Sequence, residues 1–190
     1  MDSTPQVIST RERFRGRVFS VRTDELRFPD GNVYPIDVIE HRGSYGVIAT
    51  TADGSVVLVR QFRPAVGRTL WEIPAGTAEP GESVLDGARR ELAEETGFRA
   101  RSMRPLGTLY MTPGFCNEVM HFVHASDLEA GEQDLDDDER IDARTFTPAE
   151  ARELTARGQV ADAKTLLALL WLESNRGELV GERADNGCIG

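Results

Sequence analysis

Apolar and polar positions change their rhythm several times along this chain, and each rhythm predicts a different element. Residues 18–28 and 33–40 flank Pro29-Asp30-Gly31-Asn32, a turn sequence that predicts a β-hairpin. Residues 45–50 and 55–62 flank Ala52-Asp53-Gly54 and predict a second hairpin. Within it, Val56-Val57-Leu58-Val59 shows little alternation, the pattern of a strand buried on both faces. A short strand over 70–74 leads into a loop over 75–81. Strands resume over 106–111, 118–125 and 141–146.

Helical period replaces the strand pattern over 84–96. Ser83 stands where an N-cap belongs, Asp86 is at the third helical position, and Gly97 is at the C-cap. Thr147-Pro148-Ala149-Glu150 is a second helix start, with a cap, proline first and glutamate third. A last helix over 161–172 carries Leu166, Leu167, Leu169, Leu170 and Trp171, which predicts that much of it is buried. Strands flanked by a few helices point to an α/β sandwich. The polar, glycine-bearing ends, 1–12 and 176–190, are expected to fray.

Composition narrows the function classes. The 190 residues suit one domain with a real core, and a formal net charge of −10 argues against a general nucleic-acid or anionic-membrane binder. A small anionic ligand is still admitted if basic groups or metal ions meet it locally. No apolar run of membrane-spanning length and no signal-peptide core occurs, so a cytoplasmic location is expected. Cys116 and Cys188 are too few for a disulfide framework. His41, His121 and His124 have no metal-site spacing, and the latter two suit packing or surface roles.

Candidate chemistry concentrates on the helix 84–96. At 3.6 residues per turn Glu91 and Glu95 share one face, with Glu94 beside them, next to the apolar stripe Val84, Leu85, Ala88 and Leu92. Carboxylates at a core edge need protonation, a basic partner or a metal. One Arg90 cannot neutralise three of them, whereas a hard dication such as Mg2+ or Mn2+ can. Taken alone, a solvated acidic face competes evenly with that reading.

The surrounding segment adds a motif. Gly76, Glu82, Arg90, Glu91, Leu92, Glu94, Glu95, Gly97 and Phe98 match G-x5-E-x7-R-E-U-x-E-E-x-G-U at all nine specified positions over 23 residues. The chain thus resembles the Nudix hydrolases, which cleave nucleoside diphosphates linked to another moiety. The resemblance implies an α/β/α sandwich with a mixed sheet over 43–175. It adds a small N-terminal antiparallel β hairpin or sheet over 1–42, and leaves a flexible tail over 176–190. It also implies metal ligation by Glu91, Glu95, Glu94 and the carbonyl of Ala75. Gly76 then gives the loop close access to the metal, Glu82 and Arg90 form an ion pair holding loop to helix, and Gly97 ends the helix.

Further segments resemble the ADP-ribose pyrophosphatase branch. Thr112-Pro113-Gly114-Phe115 places a proline 15 positions after Phe98, as that branch does. Gln61-Phe62-Arg63 and Trp71-Glu72-Ile73-Pro74-Ala75-Gly76 are similar to segments of that branch, with Arg63 able to clamp a phosphate or ribose and Glu72 a further substrate-binding candidate. The acidic loop 134–139 corresponds to one that positions or deprotonates the attacking water. Glu139 is the first choice and Asp137 the second, with Glu94 the fallback on the helix. Ile36 departs from the branch, which often carries a substrate-binding arginine there, so the ligand stays open between ADP-ribose, ADP-glucose, another nucleotide sugar and a dinucleotide.

The implied reaction is Mg2+-dependent hydrolysis of ADP-ribose to AMP and ribose 5-phosphate. By the same resemblance the N-terminal region packs across a homodimer and completes an adenosine pocket, with Phe19, Phe28 and Tyr34 as candidates to stack on adenine. Hairpin packing is the competing role for each. The competing function is a non-catalytic Nudix-fold sensor of ADP-ribose or a relative. Intact motif carboxylates and the acidic net charge weigh against it.

Overall fold

The structure is a computed structural model and describes residues 4–135 and 140–174. The chain divides into two compact units, residues 4–43 with 110–119, and residues 44–109 with 120–174.

In the first unit, β1 (Gln6–Arg15), β2 (Phe19–Arg27) and β3 (Val33–His41) form an antiparallel sheet in that order. The predicted turn closes β2 onto β3, with the Gly31 N–H donating to the Phe28 carbonyl at 2.9 Å and Gly31 at φ 89°. β1 corrects the expectation that residues up to 12 fray. It is exposed along its whole length, so no apolar alternation announces it. Polar side chains instead bond across the ladder. Thr10 Oγ1 donates to Asp24 at 2.8 Å, and Arg13 Nε donates to Thr23 Oγ1 at 2.8 Å. Thr23 and Asp24 are buried by this arrangement.

Residues 110–119 belong with this sheet, although the sequence places them inside a continuous 43–175 domain. Pro113 lies in a turn where the Thr112 carbonyl accepts from the Phe115 and Cys116 N–H groups at 3.1 and 2.9 Å. The turn attaches to β3, since Ile39 N–H donates to the Phe115 carbonyl at 2.8 Å and its own carbonyl accepts from Asn117 N–H at 3.1 Å.

The second unit holds β4 (Ser44–Ala49), β5 (Val56–Arg63), β6 (Arg68–Glu72), β7 (Ala75–Thr77), β8 (Arg99–Tyr110), β9 (Val119–Glu129) and β10 (Asp142–Phe146). Its helices are α1 (Val84–Thr96), α2 (Pro148–Ala156) and α3 (Ala163–Glu173). One sheet runs β7-β4-β9-β8, with β4 antiparallel to β7 and parallel to β9, and the other runs β10-β5-β6. The mixed sheet is therefore present. β7 corrects the loop reading of 75–81 for its first three residues, whose ladder partners on β4 lie about thirty positions earlier in the chain.

Alternation along β4 and β9 decides which helix covers which face. Tyr45, Val47 and Ala49 of β4 and Val123 and Ala125 of β9 pack against Val84, Ala88 and Leu92 of α1. The intervening His124 instead meets Trp171 of α3, ring centroids 5.1 Å apart, and its ring nitrogen bonds Thr50 Oγ1 at 2.9 Å. Helices thus flank both faces of this sheet. Each starts on a side-chain cap: Ser83, Thr147 in a full capping box, and Asp162. α1 ends at Gly97 with φ 72°, as its motif position implies. No described helix is long and apolar enough to cross a membrane.

Candidate active site

α1 delivers its carboxylates to the start of β7. Glu91 and Glu95 are buried, at 8% and 3% exposure, and the Ala75 N–H donates to Glu95 Oε2 at 3.0 Å. A side chain on Gly76 would displace the neighbouring carboxylate, because a Cβ there would lie 2.0 Å from the Glu91 carboxyl atoms. Residues fifteen to twenty positions apart in sequence are thereby gathered at one corner, where the loop turns into the helix.

Arg90 sits at the centre of that corner. Its Nε and Nη2 donate to the two oxygens of Glu82 at 3.0 and 3.1 Å, and Nη1 reaches Glu94 and Glu91 at 2.9 Å each. These bonds, Glu82 first, raise the guanidinium far above its usual value even though burial opposes charge. Glu82 and Arg90 thus form the predicted loop-to-helix pair. Among the described residues no three His, Cys, Asp or Glu groups are gathered in a metal-binding cluster. Arg90 pairs with Glu91 and Glu94 as well as with Glu82.

The donor set nonetheless fits a hard dication. It consists of carboxylate oxygens with adjacent backbone, and the missing Cβ of Gly76 lets the Glu91 carboxylate lie against the strand. Glu91, Glu94, Glu95 and the Ala75 carbonyl are the groups that would hold it.

A second polar cluster forms beside Glu95. Arg63, at the end of β5, donates through Nε and Nη2 to both oxygens of Glu72 at 2.9 and 2.7 Å. Lys164 of α3 also donates to Glu72 and, at 2.9 Å, to Asp162. Burial pushes the Glu72 carboxyl up, but the Arg63 and Lys164 contacts outweigh it and hold the group below its ordinary value. Burial likewise disfavours charge on Arg63, yet Glu72, Glu95 and Asp162 keep it raised. Arg63 and Glu72 therefore face each other as a charged pair at the edge of the carboxylate corner.

The other predicted site residues are distributed differently. Phe28 and Tyr34 meet edge to face in the N-terminal sheet, centroids 5.7 Å apart, and Tyr34 is 52% exposed. Phe19 packs on Phe14 at 6.0 Å. Pro113 is exposed in its turn of the same unit. Asp137 and Glu139 lie outside the described residues. The chain leading to them is tied to α1, since Asp134 N–H donates to the Glu94 carbonyl at 3.1 Å and the Gln133 side chain donates to the Glu95 carbonyl. His121 bonds Thr108 at 3.0 Å, and burial lowers its pKa.

Sequence reading missed Lys164, Tyr45 and Gln133. Lys164 carries a signal in hindsight, being the single lysine among 22 basic residues. Its partner Glu72 is 92 positions away, which no local pattern can report.

The chain is similar to several known proteins. The family model described as NUDIX domain matches residues 40–169. The ADP-ribose pyrophosphatase of Bacillus subtilis (strain 168) is 34% identical over 170 residues, covering 88% of this chain and 92% of its own. The methanol dehydrogenase activator of Bacillus methanolicus is equally similar, 34% identical with coverage of 88% and 92%. A crystal structure of an ADP compounds hydrolase superposes with a TM-score of 0.77 at 26% identity, covering 89% of this chain and 92% of that one. With its motif residues assembled where loop meets helix, this chain belongs to the Nudix family.

Proposed function

We propose that this Nudix hydrolase splits the pyrophosphate of ADP-ribose, or of a closely related nucleoside diphosphate sugar, in a Mg2+-dependent reaction. Water and ADP-ribose give AMP and ribose 5-phosphate. The observation that carries the reading is the meeting of buried Glu91 and Glu95 with the backbone of Ala75 and Gly76. A dication held there by Glu91, Glu94, Glu95 and the Ala75 carbonyl would supply charge neutralisation for the diphosphate and lower the pKa of a bound water.

The protein's own groups divide the remaining work. Arg90 keeps Glu82 on the loop and so fixes the helix under the substrate's phosphates. Arg63, braced by Glu72, offers its outward N–H groups to a phosphate or ribose oxygen. Glu139, or Asp137 in its place, orients or deprotonates the attacking water. The N-terminal region supplies adenine contacts through Phe28 and Tyr34, and Pro113 shapes the substrate pocket. Val7, Phe14, Phe19, Val33 and Ile36 are all exposed on the N-terminal sheet, which supports its use as a homodimer surface. The reaction belongs in the cytoplasm, where free nucleotides are metabolised.

Two relatives of equal identity carry different names, so identity alone does not choose the substrate. The test is kcat/KM for ADP-ribose, ADP-glucose, GDP-mannose, NADH and diadenosine polyphosphates, each with Mg2+ and with Mn2+. ADP-ribose is expected to lead. A clear preference for GDP-mannose or a dinucleotide refutes the substrate assignment and leaves the hydrolase reading standing.

A further inference from the structure

Tyr45 of β4 is fully buried, and its hydroxyl has no hydrogen-bond partner among the described residues. Its ring lies against Gly87 of α1, where a Cβ would come within 2.0 Å of Cε2 and 2.5 Å of Cζ. Two locally unfavourable choices therefore occur together. Glycine in a helix interior is a poor helix former, and a buried hydroxyl without a partner is costly. Phenylalanine at 45 would fill the same space without the second cost. Local rules broken without a packing gain point to a use elsewhere.

The neighbours indicate that use. Tyr45 stands opposite Gly76 in the β4–β7 ladder, and cross-strand partners send their side chains to the same face. That is the face where the Glu91 carboxylate covers Gly76. Burial first, then the charges of Glu82, Glu91 and Glu79, push the phenol up to about 12 against the opposing effect of Arg90. The group is thus a neutral donor beside carboxylate acceptors. Glu91 is engaged by Arg90 at 2.9 Å, and Glu82 by the same guanidinium. Carboxylates that ligate metals are themselves hydrogen-bonded through their outer oxygen, and losing that partner weakens metal binding.

We infer that Tyr45 is a positioning residue of the metal centre, whose hydroxyl donates to Glu91 once a divalent cation draws that carboxylate away from Arg90. The inference rests on the metal-dependent reading above and adds a residue outside the motif to it. Tyr45→Phe removes one oxygen and no existing hydrogen bond, so the variant keeps its fold.

The experiment is a Mg2+ titration of the full chain, wild type and Tyr45→Phe, followed by thermal shift and by NMR of ζ-13C-tyrosine. Only three tyrosines contribute signals, and the variant identifies the one from Tyr45. The metal-free variant should melt at or slightly above the wild-type temperature. Its Mg2+ dissociation constant should rise about 10- to 100-fold, and the wild-type Tyr45 signal should shift as Mg2+ saturates. Equal Mg2+ affinity in the two proteins, or a Tyr45 signal indifferent to Mg2+, overturns the inference and spares the metal site. Absence of Mg2+ binding by the wild type overturns both readings.

Discussion

Gly76→Ala separates packing from chemistry at the carboxylate corner. The added methyl would lie 2.0 Å from the Glu91 carboxyl carbon and both its oxygens. Comfortable non-bonded contact needs about 3.5 Å, so the carboxylate must retreat by about 1.5 Å. The retreating group is the end of a flexible side chain, and residue 76 needs no positive φ, so the backbone can accommodate alanine. Destabilisation should therefore stay under about 1 kcal/mol, at the low end of overpacking costs. The functional cost is larger, because displacing a reacting constellation by about 1 Å loses about 100-fold in rate. Thermal melting without metal should move little, kcat/KM should fall at least about 100-fold, and half-saturation by Mg2+ should rise. Near-normal kcat/KM with unchanged Mg2+ dependence refutes the claim that Glu91 works from against Gly76. A collapse of stability refutes the claim that only the carboxylate has to give way.

Other perturbations probe the remaining parts. Glu95→Gln retains an oxygen for the Ala75 N–H but loses the charge, so melting should stay within about 1 kcal/mol of wild type while turnover nearly vanishes; retained turnover at saturating Mg2+ contradicts the ligand role. Glu72→Gln leaves Arg63 and Lys164 without their shared anion and should destabilise by about 2 kcal/mol, less than for a fully buried pair because Arg63 is 38% exposed. The Glu72 carboxyl titrates below its ordinary 4.5 in the folded protein, so its stabilisation is full above that pH and is lost as pH falls through the lower folded value. Urea melts should show wild type losing its advantage over Glu72→Gln in that acid window, and a constant gap between the two opposes the assignment. Glu139→Gln should depress kcat and leave KM nearly unchanged, as for a contact made mainly in the transition state; if Asp137→Asn is the severe variant instead, the second choice takes the role, and if both are near wild type, Glu94 does.

Legibility followed the range of the interactions. α1 runs over Val84–Thr96 as its period and both caps predict, since cap and apolar stripe are local facts of composition. Val56 to Val59 are buried, as an unbroken apolar run should be. β1 escaped because its stability comes from polar cross-strand bonds on exposed faces, which leave no alternation to read. β8 begins at Arg99 rather than at the first leucine of the expected strand, for a similar reason: its first residues are mostly polar and exposed. The motif located Glu91, Glu95, Arg90 and Glu82, yet it could not report that Arg90 engages three carboxylates at once. Lys164 on Glu72 and Tyr45 on Gly87 are pairings made by tertiary packing alone.

Hydrolysis of the diphosphate itself is the claim on which the rest depends, and 31P NMR reads it directly. The full chain is incubated with ADP-ribose and Mg2+, then with the same substrate after excess EDTA. The account predicts that the two diphosphate resonances give way to the monophosphate signals of AMP and ribose 5-phosphate with Mg2+, and persist once the metal is removed. Diphosphate resonances that persist at saturating Mg2+, or that disappear equally fast in EDTA, contradict it.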